Sequence, residues 1–193
     1  MLLSQKPNKR KESLDFLLTF LFSLLAAVLA LRLITAYLFM PVQVVGNSMK
    51  QTLHHGDVLI VSRLDSPNRG EVVVIEKEDG ELLIKRVVGV AGDRIWTQNG
   101  VLYRERQQGA IRVVEEVAEP YLSAYNSANT WQDAHNKTDV APVTVPKDCV
   151  YVLGDNRRDS LDSRLYGCFS AISVLGVVPQ FFIDHPKLLT FLK

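Results

Sequence analysis

The sequence predicts a mainly β protein that carries one N-terminal membrane-spanning helix. An apolar block near the start, Leu14 to Leu31, is long enough to cross a bilayer. From Pro41 onward, runs of Val, Ile and Leu of strand length alternate with Gly, Asp, Asn and Pro, without helical periodicity of useful length. We therefore expect a cytoplasmic tail (1–13), a transmembrane anchor (14–40) and an extracytoplasmic β domain (41–193).

The anchor is predicted from the length and composition of its apolar block. Eighteen residues rise about 27 Å as an α-helix, which is close to the thickness of the hydrocarbon core. Asp15 is the one charged residue of the block, and Arg32 is the first residue after the block. Because an arginine at mid-membrane costs roughly 3 kcal/mol, we expect Arg32 near the outer interface, where its side chain reaches the headgroups. The second apolar stretch, 33–40, is then expected at or in the outer leaflet.

Basic residues before the block predict its orientation. These residues are Lys6, Lys9, Arg10 and Lys11. Positively charged flanks remain in the cytoplasm, so the bulk of the chain is expected outside the membrane. A cleaved signal peptide is the alternative, with an apolar region of about 7–15 residues that ends at a small-x-small site. This block is longer and no such site follows it cleanly, which favours an uncleaved anchor.

Strands are predicted where aliphatic and β-branched runs lie between turn residues. Asn99-Gly100 between two of the runs indicates a hairpin with a type I′ turn. The region from Gln107 to Lys147 is polar with little periodicity, and we expect loops and an insertion there. The predicted strands are Gln43–Val45, Val58–Ser62, Glu71–Glu76, Leu82–Val90, Arg94–Thr97, Val101–Tyr103, Thr144–Val145, Cys149–Leu153 and Leu175–Val178.

Composition and charge limit the classes of partner. Lys and Arg number 22 against 21 Asp and Glu, so no overall field attracts nucleic acid and no nucleic-acid partner is expected. Cys149 and Cys168 are the two cysteines, too few for a disulfide scaffold and without the spacing of a zinc motif. We interpret them as two buried thiols, with one disulfide as the alternative. No metal ion or cofactor is predicted.

Lys85 lies in the predicted strand Leu82–Val90, with Leu83 and Val87 on its own face. Loss of hydration between aliphatic neighbours lowers a lysine pKa. A mostly neutral amine at pH 7 requires a fall from about 10.4 to below about 7, which costs roughly 4–5 kcal/mol. Such an amine within reach of Ser48 could take its proton and activate the oxygen for acyl attack. Taken alone, the two positions favour a lysine whose tip reaches solvent and a serine in an ordinary turn.

The histidines and the polar segment Gly154–Gly167 do not select another hydrolase site. Surface or loop positions are expected for all four histidines, His54, His55, His135 and His185. A Ser-His-Asp triad stays open, but no Gly-x-Ser-x-Gly and no His-Glu-x-x-His occurs. Gly154–Gly167 predicts a long turn closed by Asp–Arg pairs, because it has neither EF-hand spacing nor a P-loop pattern.

Three segments together resemble the signature boxes of the bacterial type I signal peptidases, or leader peptidases, in the family's order. The nucleophile box is matched by Ser48-Met49 with Thr52-Leu53, and the general-base box by Lys85-Arg86-Val87-Val88-Gly89 with Gly92-Asp93. The last box is matched by Gly154-Asp155-Asn156-Arg157, Ser160, Asp162-Ser163-Arg164 and Gly167. The similarity runs from about Pro41 to Gly167, with a less similar middle.

The resemblance implies both a fold and an activity. The implied fold is a mainly β, antiparallel, β-barrel-like catalytic domain behind the anchor, with an exposed apolar surface near the membrane. The implied activity is that of a Ser/Lys-dyad endopeptidase, which removes signal peptides from secreted preproteins at the outer face of the cytoplasmic membrane. Its implied partners are signal peptides with small residues before the cut, and membrane lipid.

Roles at the matching positions follow from the resemblance. Ser48 is the implied nucleophile, Lys85 the implied general base, and Ser160 the hydroxyl that orients the lysine. The Ser48 N–H is implied to line the oxyanion hole. Ion pairs of Asp155, Asp162 and Arg164 are implied to support the site. The substrate is implied to bind as an added strand, with pockets for small side chains walled by Val42, Val44, Met49, Leu53, Leu83 and Ile84.

Two positions depart from the family's usual pattern. Gln51 stands where proline is usual, and the change is expected to loosen the turn by about 1 kcal/mol or less, through the unfolded chain. Gly46 stands where some members carry a hydroxyl that completes the oxyanion hole, while others have glycine. Because loss of such a donor costs about 3–4 kcal/mol, we expect another group to supply it.

Two alternative functions are weaker fits to the sequence. One is a non-catalytic relative that acts as a membrane-tethered chaperone in the assembly of surface polymers such as pili. The presence of both Ser48 and Lys85 favours the peptidase over this chaperone. The other is a self-cleaving stress repressor with a Ser/Lys site, which would need a DNA-binding domain and no anchor. This chain has an anchor and no basic recognition helix.

Overall fold

The fold is mainly β with one long N-terminal helix, which confirms the predicted class. A computed structural model describes residues 9–122 and 139–188. The chain divides into two compact units, Met1–Phe39 and Met40–Lys193.

The N-terminal helix, α1 (Lys9–Leu38), contains the predicted anchor up to Leu38, and the last two residues assigned to the anchor, Phe39 and Met40, belong to the first strand. Its segment Ser13–Leu38 is long and apolar enough to cross a membrane. The hydroxyls of Thr19 and Ser23 each donate to the carbonyl oxygen four residues earlier, at 2.8 Å. Both donors are thus satisfied inside the helix, as an apolar surrounding requires.

The strands after the helix form two antiparallel sheets. They are β1 (Phe39–Gln43), β2 (Val58–Ser62), β3 (Val72–Glu76), β4 (Leu82–Val90), β5 (Arg94–Gln98), β6 (Val101–Gln108), β7 (Ile111–Glu116), β8 (Val143–Thr144), β9 (Cys149–Leu153), β10 (Phe169–Ser170) and β11 (Val174–Val178). A curled seven-stranded sheet has the order β1-β2-β11-β3-β4-β9-β10, and a four-stranded sheet the order β7-β6-β5-β8. Two short helices, α2 (Ser163–Tyr166) and α3 (Gln180–Asp184), and a 3₁₀ helix (Ala171–Ser173) complete the described elements.

The predicted strands differ from the structure in several places, by one residue at β3, β5, β8 and β11 and by more elsewhere. The first strand begins earlier, at Phe39, and ends at Gln43. Strands β7 and β10 were not predicted, and β6 extends beyond its predicted end to Gln108. The polar sequence of β6 and β7 forms a ladder because its charges pair across the strands. Arg104 contacts Glu115 at 2.5 Å, and Arg112 contacts Glu105 at 2.9 Å.

Strand β4 lies inside the large sheet and carries both basic residues of the general-base box. It pairs with β3, where Lys85 is opposite Val73, and with β9 from Arg86 onward. Residues Val72 to Ile75 of β3 are fully buried, so β4 crosses a closely packed apolar region. As a result, Lys85 is 3% exposed and Arg86 is 4% exposed.

Candidate active site

Lys85 and Ser48 are in direct contact. The amine nitrogen lies 2.8 Å from Ser48 Oγ, and it donates to the carbonyl oxygen of Ile84 at 3.0 Å. Burial lowers the pKa of Lys85 to about 8, although the charge of Asp162 acts in the opposite direction. About one such amine in ten is neutral at pH 7, and half are neutral at pH 8. The fall in pKa is therefore smaller than the sequence argument requires, but large enough to supply a base.

Ser48 lies in a tight turn that two apolar side chains hold in place. The carbonyl oxygen of Met49 accepts hydrogen bonds from the next backbone N–H groups, those of Gln51, Thr52 and Leu53, each at 2.8 Å. Met49 is 2% exposed and Leu53 is fully buried, and both belong to one apolar cluster. The turn therefore presents the half-buried Ser48 hydroxyl while its neighbours stay fixed in the core.

The two departures from the family pattern both lie in this turn. The Gln51 N–H donates to Met49 O, a hydrogen bond that proline could not make. Gly46 has a φ of +89°, which disfavours any other residue, and its N–H donates to Nδ1 of His55 at 3.3 Å. Within the described residues, the Ser48 N–H has no backbone acceptor. That N–H is therefore available to an oxyanion.

Asp155 joins the turn to strand β4. Its carboxylate accepts from Arg86 Nε at 2.9 Å and from Arg86 Nη2 at 2.6 Å, and also from the hydroxyl of Thr52. Asp155 is fully buried, and its N–H donates to the sulfur of Met49 at 3.4 Å. Since Arg86 directly follows Lys85, this pair ties the two halves of the site together.

Asp162 organises the last box, the segment Gly154–Gly167. It forms two contacts of 2.8 Å with the guanidinium of Arg164, and it accepts from the Gly154 N–H at 3.0 Å. The Ser160 hydroxyl also donates to Asp162, at 2.8 Å. The partner of this hydroxyl is thus Asp162, and the structure does not bring it into a hydrogen bond with Lys85.

Gly154 is the point where this segment meets the nucleophile turn. A side-chain carbon added there would lie 2.2 Å from Ser160 Oγ and 2.5 Å from the carbonyl oxygen of Ser48. The Asn156 N–H donates to the same Ser48 oxygen at 2.9 Å. Only glycine allows this close approach of the two backbones.

A groove of about 610 Å³ runs along the site. Five of the six predicted pocket residues line it, together with Ser48 and Lys85. These five are Val42, Val44, Met49, Leu83 and Ile84. Leu53 is instead fully buried in the core behind Met49, because the turn directs it inward.

Two strand edges border the groove. Strand β1 is the first strand of its sheet. On the β9 side of β4, pairing covers Arg86 to Val90, so Leu82–Lys85 have no neighbouring strand there among residues 9–122 and 139–188. An extended peptide in the groove would find main-chain hydrogen-bonding groups on both sides.

The structure also places the remaining candidates. His54, His55 and His185 are exposed, no hydrogen bond links them to the Ser48 hydroxyl within the described residues, and His135 lies outside these residues. Cys149 and Cys168 are free thiols, each partly exposed, so the disulfide alternative is not formed.

Sequence reasoning missed four residues that contact the site. Thr52 and Arg86 bind Asp155, and their places inside the boxes were the available signal. Glu119 binds Arg157, and the ring of Tyr121 lies against Arg86. Both belong to the polar region in which an insertion was expected, where the sequence carries no comparable pattern.

Comparison with known proteins agrees with the sequence resemblance. The model of the family described as "Signal peptidase, peptidase S26" matches residues 17–183. The chain is 36% identical to signal peptidase I of Bacillus amyloliquefaciens over an alignment of 178 residues, and this alignment covers 89% of each protein. It is 35% identical to signal peptidase I S of Bacillus subtilis (strain 168) over an alignment of 180 residues, and this alignment covers 90% of each protein.

A crystal structure of a signal peptidase I from Enterococcus faecalis V583 also aligns with the chain. The alignment covers 58% of this chain and 97% of that one, at 26% identity and a TM-score of 0.46. Membership of a family is decided by the family model and by the two Bacillus proteins, whose similarity extends over most of the chain. The chain belongs to the signal peptidase family, peptidase S26.

Proposed function

We propose that this chain is a membrane-anchored serine endopeptidase that removes signal peptides, with Ser48 as nucleophile and Lys85 as general base. The observation that carries the proposal is the 2.8 Å contact between the Lys85 amine and the Ser48 hydroxyl at an apolar groove. The similarity to the Bacillus signal peptidases I supports the substrate class.

The reaction uses the Lys85 amine as a proton carrier. Neutral Nζ accepts the Ser48 proton while Oγ attacks the scissile carbonyl carbon, and the resulting ammonium then protonates the leaving amine. The products of this half-reaction are the released chain and a Ser48 ester of the signal peptide. Lys85 next takes a proton from water while the water oxygen attacks the ester carbonyl carbon. The ammonium then returns this proton to Ser48 Oγ as the ester C–O bond breaks, which releases the signal peptide as its acid and restores both side chains.

The oxyanion of each tetrahedral intermediate is stabilised by the Ser48 N–H, which has no backbone acceptor among the described residues. Gly46 contributes no side-chain donor, so a second N–H or a water supplies the remaining hydrogen bond. We propose that Ser160 acts through Asp162, whose charge faces Lys85 and stabilises the transient ammonium. Arg164 and Arg86 hold Asp162 and Asp155 in place.

Substrate selection follows from the shape of the groove. The substrate lies as a strand between β1 and Leu82–Lys85, which binds its backbone without regard to sequence. Closely packed side chains of Val42, Val44 and Ile84 leave shallow pockets, so small residues such as alanine are preferred at the first and third positions before the cut.

The membrane anchor supplies the location of the reaction. We propose that α1 spans the cytoplasmic membrane with its basic N-terminal flank inside, and that the β domain from Pro41 acts at the outer face. A signal peptide held in the same membrane would then present its cleavage site to the groove.

The test is peptide cleavage by the purified full-length chain in detergent. We expect the wild type to cut a small-x-small peptide, and Ser48→Ala and Lys85→Ala each to lose at least about a thousandfold in kcat/KM. Ser66→Ala and Lys147→Ala are the matched controls, because both residues are exposed and neither lines the groove. Wild-type rates in either dyad variant would overturn the assignment, and an uncut peptide in every sample would favour the chaperone.

A further inference from the structure

Tyr121 packs against the arginine that follows the proposed base. Its ring centroid lies 3.8 Å from the guanidinium carbon of Arg86, within the range of a cation–π contact. Arg86 is 4% exposed and holds Asp155 with two hydrogen bonds. Because Arg86 adjoins Lys85 in β4, the ring fixes the strand at the residue next to the base.

Glu119 holds a second buried arginine in the last box. Arg157 is fully buried, and both of its terminal nitrogens contact the Glu119 carboxylate, one at 3.1 Å. The Tyr121 hydroxyl donates to the same carboxylate at 2.9 Å. Burial, together with the charge of Glu119, raises the pKa of Tyr121, so its hydroxyl stays a donor. The two side chains thus act as one unit.

The contacts of Arg157 lead to the nucleophile. Its Nε donates to the carbonyl oxygen of Gly154 at 3.0 Å. Gly154 in turn lies directly against the Ser48 carbonyl oxygen, which also accepts from the Asn156 N–H. One unit therefore reaches both halves of the site: Lys85 through Arg86, and Ser48 through Arg157.

The buried charges of the two arginines explain why the site depends on these contacts. Arg86 and Arg157 are buried guanidiniums, and Asp155 and Glu119 are the carboxylates that pair with them. Removing one partner of such a pair leaves an uncompensated buried charge, and the surrounding segment shifts to hydrate it. A displacement of about 1 Å between reacting groups can cost about 100-fold in rate.

We infer that Glu119 and Tyr121 are positioning residues that hold Lys85 and Ser48 at their reacting distance. The inference rests on the proposed function. Neither residue lines the groove, so each acts through an arginine and not on the substrate.

The experiment compares kcat and KM for variants of the full-length chain, well below their melting temperatures. Tyr121→Leu removes the ring, and we expect kcat to fall about tenfold or more while KM stays within about twofold. Tyr121→Phe keeps the ring over Arg86 and is expected to recover at least about a third of the wild-type kcat. Tyr103→Leu is the matched control, because Tyr103 stacks on Trp96 in the four-stranded sheet, with centroids 5.7 Å apart.

Glu119→Gln provides a second route to the same answer. It preserves the size of the side chain but removes the charge beside Arg157, and a similar loss of kcat at constant KM is expected. Wild-type kcat in folded Tyr121→Leu or Glu119→Gln overturns the inference, as does an equal loss in Tyr103→Leu. If neither variant folds while Tyr103→Leu does, the unit is purely structural and the inference fails.

These outcomes are separate from the test of the proposed function. Cleavage by the wild type and its loss in Ser48→Ala are measured on the same peptide. If the wild type does not cleave, the proposed function fails. If it cleaves and the Glu119 and Tyr121 variants keep the wild-type kcat, only the positioning role fails.

Discussion

Lys85 Nζ lies 2.8 Å from Ser48 Oγ, although 37 positions separate the two residues in the chain. Pairing of β4 with β3 and β9 buries the lysine, while Met49 and Leu53 fix the turn that carries the serine. The contact therefore depends on the packing of the whole sheet. The free-energy cost of burying the amine and the contribution of the amine to catalysis can be measured separately.

The buried amine is expected to reduce stability at neutral pH. Its pKa is 10.5 when unperturbed and about 8 in the folded chain, so the unfolded chain binds more protons between about pH 8 and pH 10.5, and stability rises with pH there. Below pH 8 the full penalty on folding is roughly 3 kcal/mol; it shrinks as the pH rises from 8 to 10.5 and is absent above that range.

Lys85→Met tests this penalty. We expect the free energy of unfolding to rise by about 2 kcal/mol at pH 7, because about 1 kcal/mol is lost with the amine's hydrogen bonds. The gain should vanish before pH 10.5 and become a loss of up to about 1 kcal/mol above it, where the penalty is absent and only the lost hydrogen bonds count. Denaturant unfolding at both pH values measures it, with Lys147→Met as the exposed control. A variant less stable than the wild type at pH 7 would contradict the low pKa.

Catalytic activity should depend on the protonation state of the same amine in the folded chain. In the proposed mechanism the neutral amine is the reactive form, so kcat/KM is expected to rise about tenfold per pH unit below pH 8 and to level off above it. Initial rates with a small-x-small peptide between pH 5 and pH 10 measure the profile. A rate that is constant from pH 6 to pH 10 is inconsistent with Lys85 as the base.

Gly154 is predicted to be essential for the site. In Gly154→Ala, the added carbon would lie 2.2 Å from Ser160 Oγ and 2.5 Å from Ser48 O, so one backbone must move. We expect about a tenfold or greater fall in kcat and a stability loss of about 2 kcal/mol.

Gly176→Ala is the matched control for this variant. There the added carbon would lie 2.3 Å from the carbonyl oxygen of Ser62, in strand β2 and away from the groove. It should lower the melting temperature and leave kcat unchanged. Equal kcat values in the two variants would show that the contact at Gly154 has no catalytic role.

Val44 is predicted to limit the size of accepted side chains. It is 3% exposed and lines the groove, so Val44→Ala should open space for a larger residue before the cut. We expect the preference for alanine over valine, as a ratio of kcat/KM values, to fall about tenfold. Val61→Ala, in the same apolar cluster but not in the groove, should leave the ratio unchanged.

The sequence predicts those parts of the fold that local patterns encode. Strands β2, β4 and β9 have the predicted bounds, because their aliphatic runs end at turn residues. Strand β7 was missed because its stability comes from Arg–Glu pairs with β6, a partner that a single-strand pattern does not identify. Glu119 was missed for the same reason, because its ion pair is with Arg157 in a distant segment of the chain.

The motifs predicted the residues of the site and several of its contacts, but not every partner. Ser48 and Lys85 meet, and Asp155, Asp162 and Arg164 form ion pairs in the structure. The lengths of these contacts depend on how the turn that carries Ser48 packs against strand β4. The inward direction of Leu53 and the bond from Ser160 to Asp162 depend on backbone geometry that residue types do not specify.

The central claim is that the Lys85 amine is partly neutral at physiological pH while it contacts Ser48. NMR titration of the lysine side chains, labelled with carbon-13 at Cε, measures this directly in the full-length chain, and Lys85→Arg identifies the signal. The account predicts a midpoint near pH 8 for Lys85, set by its burial. A midpoint above about pH 10, as in an exposed lysine, would contradict it.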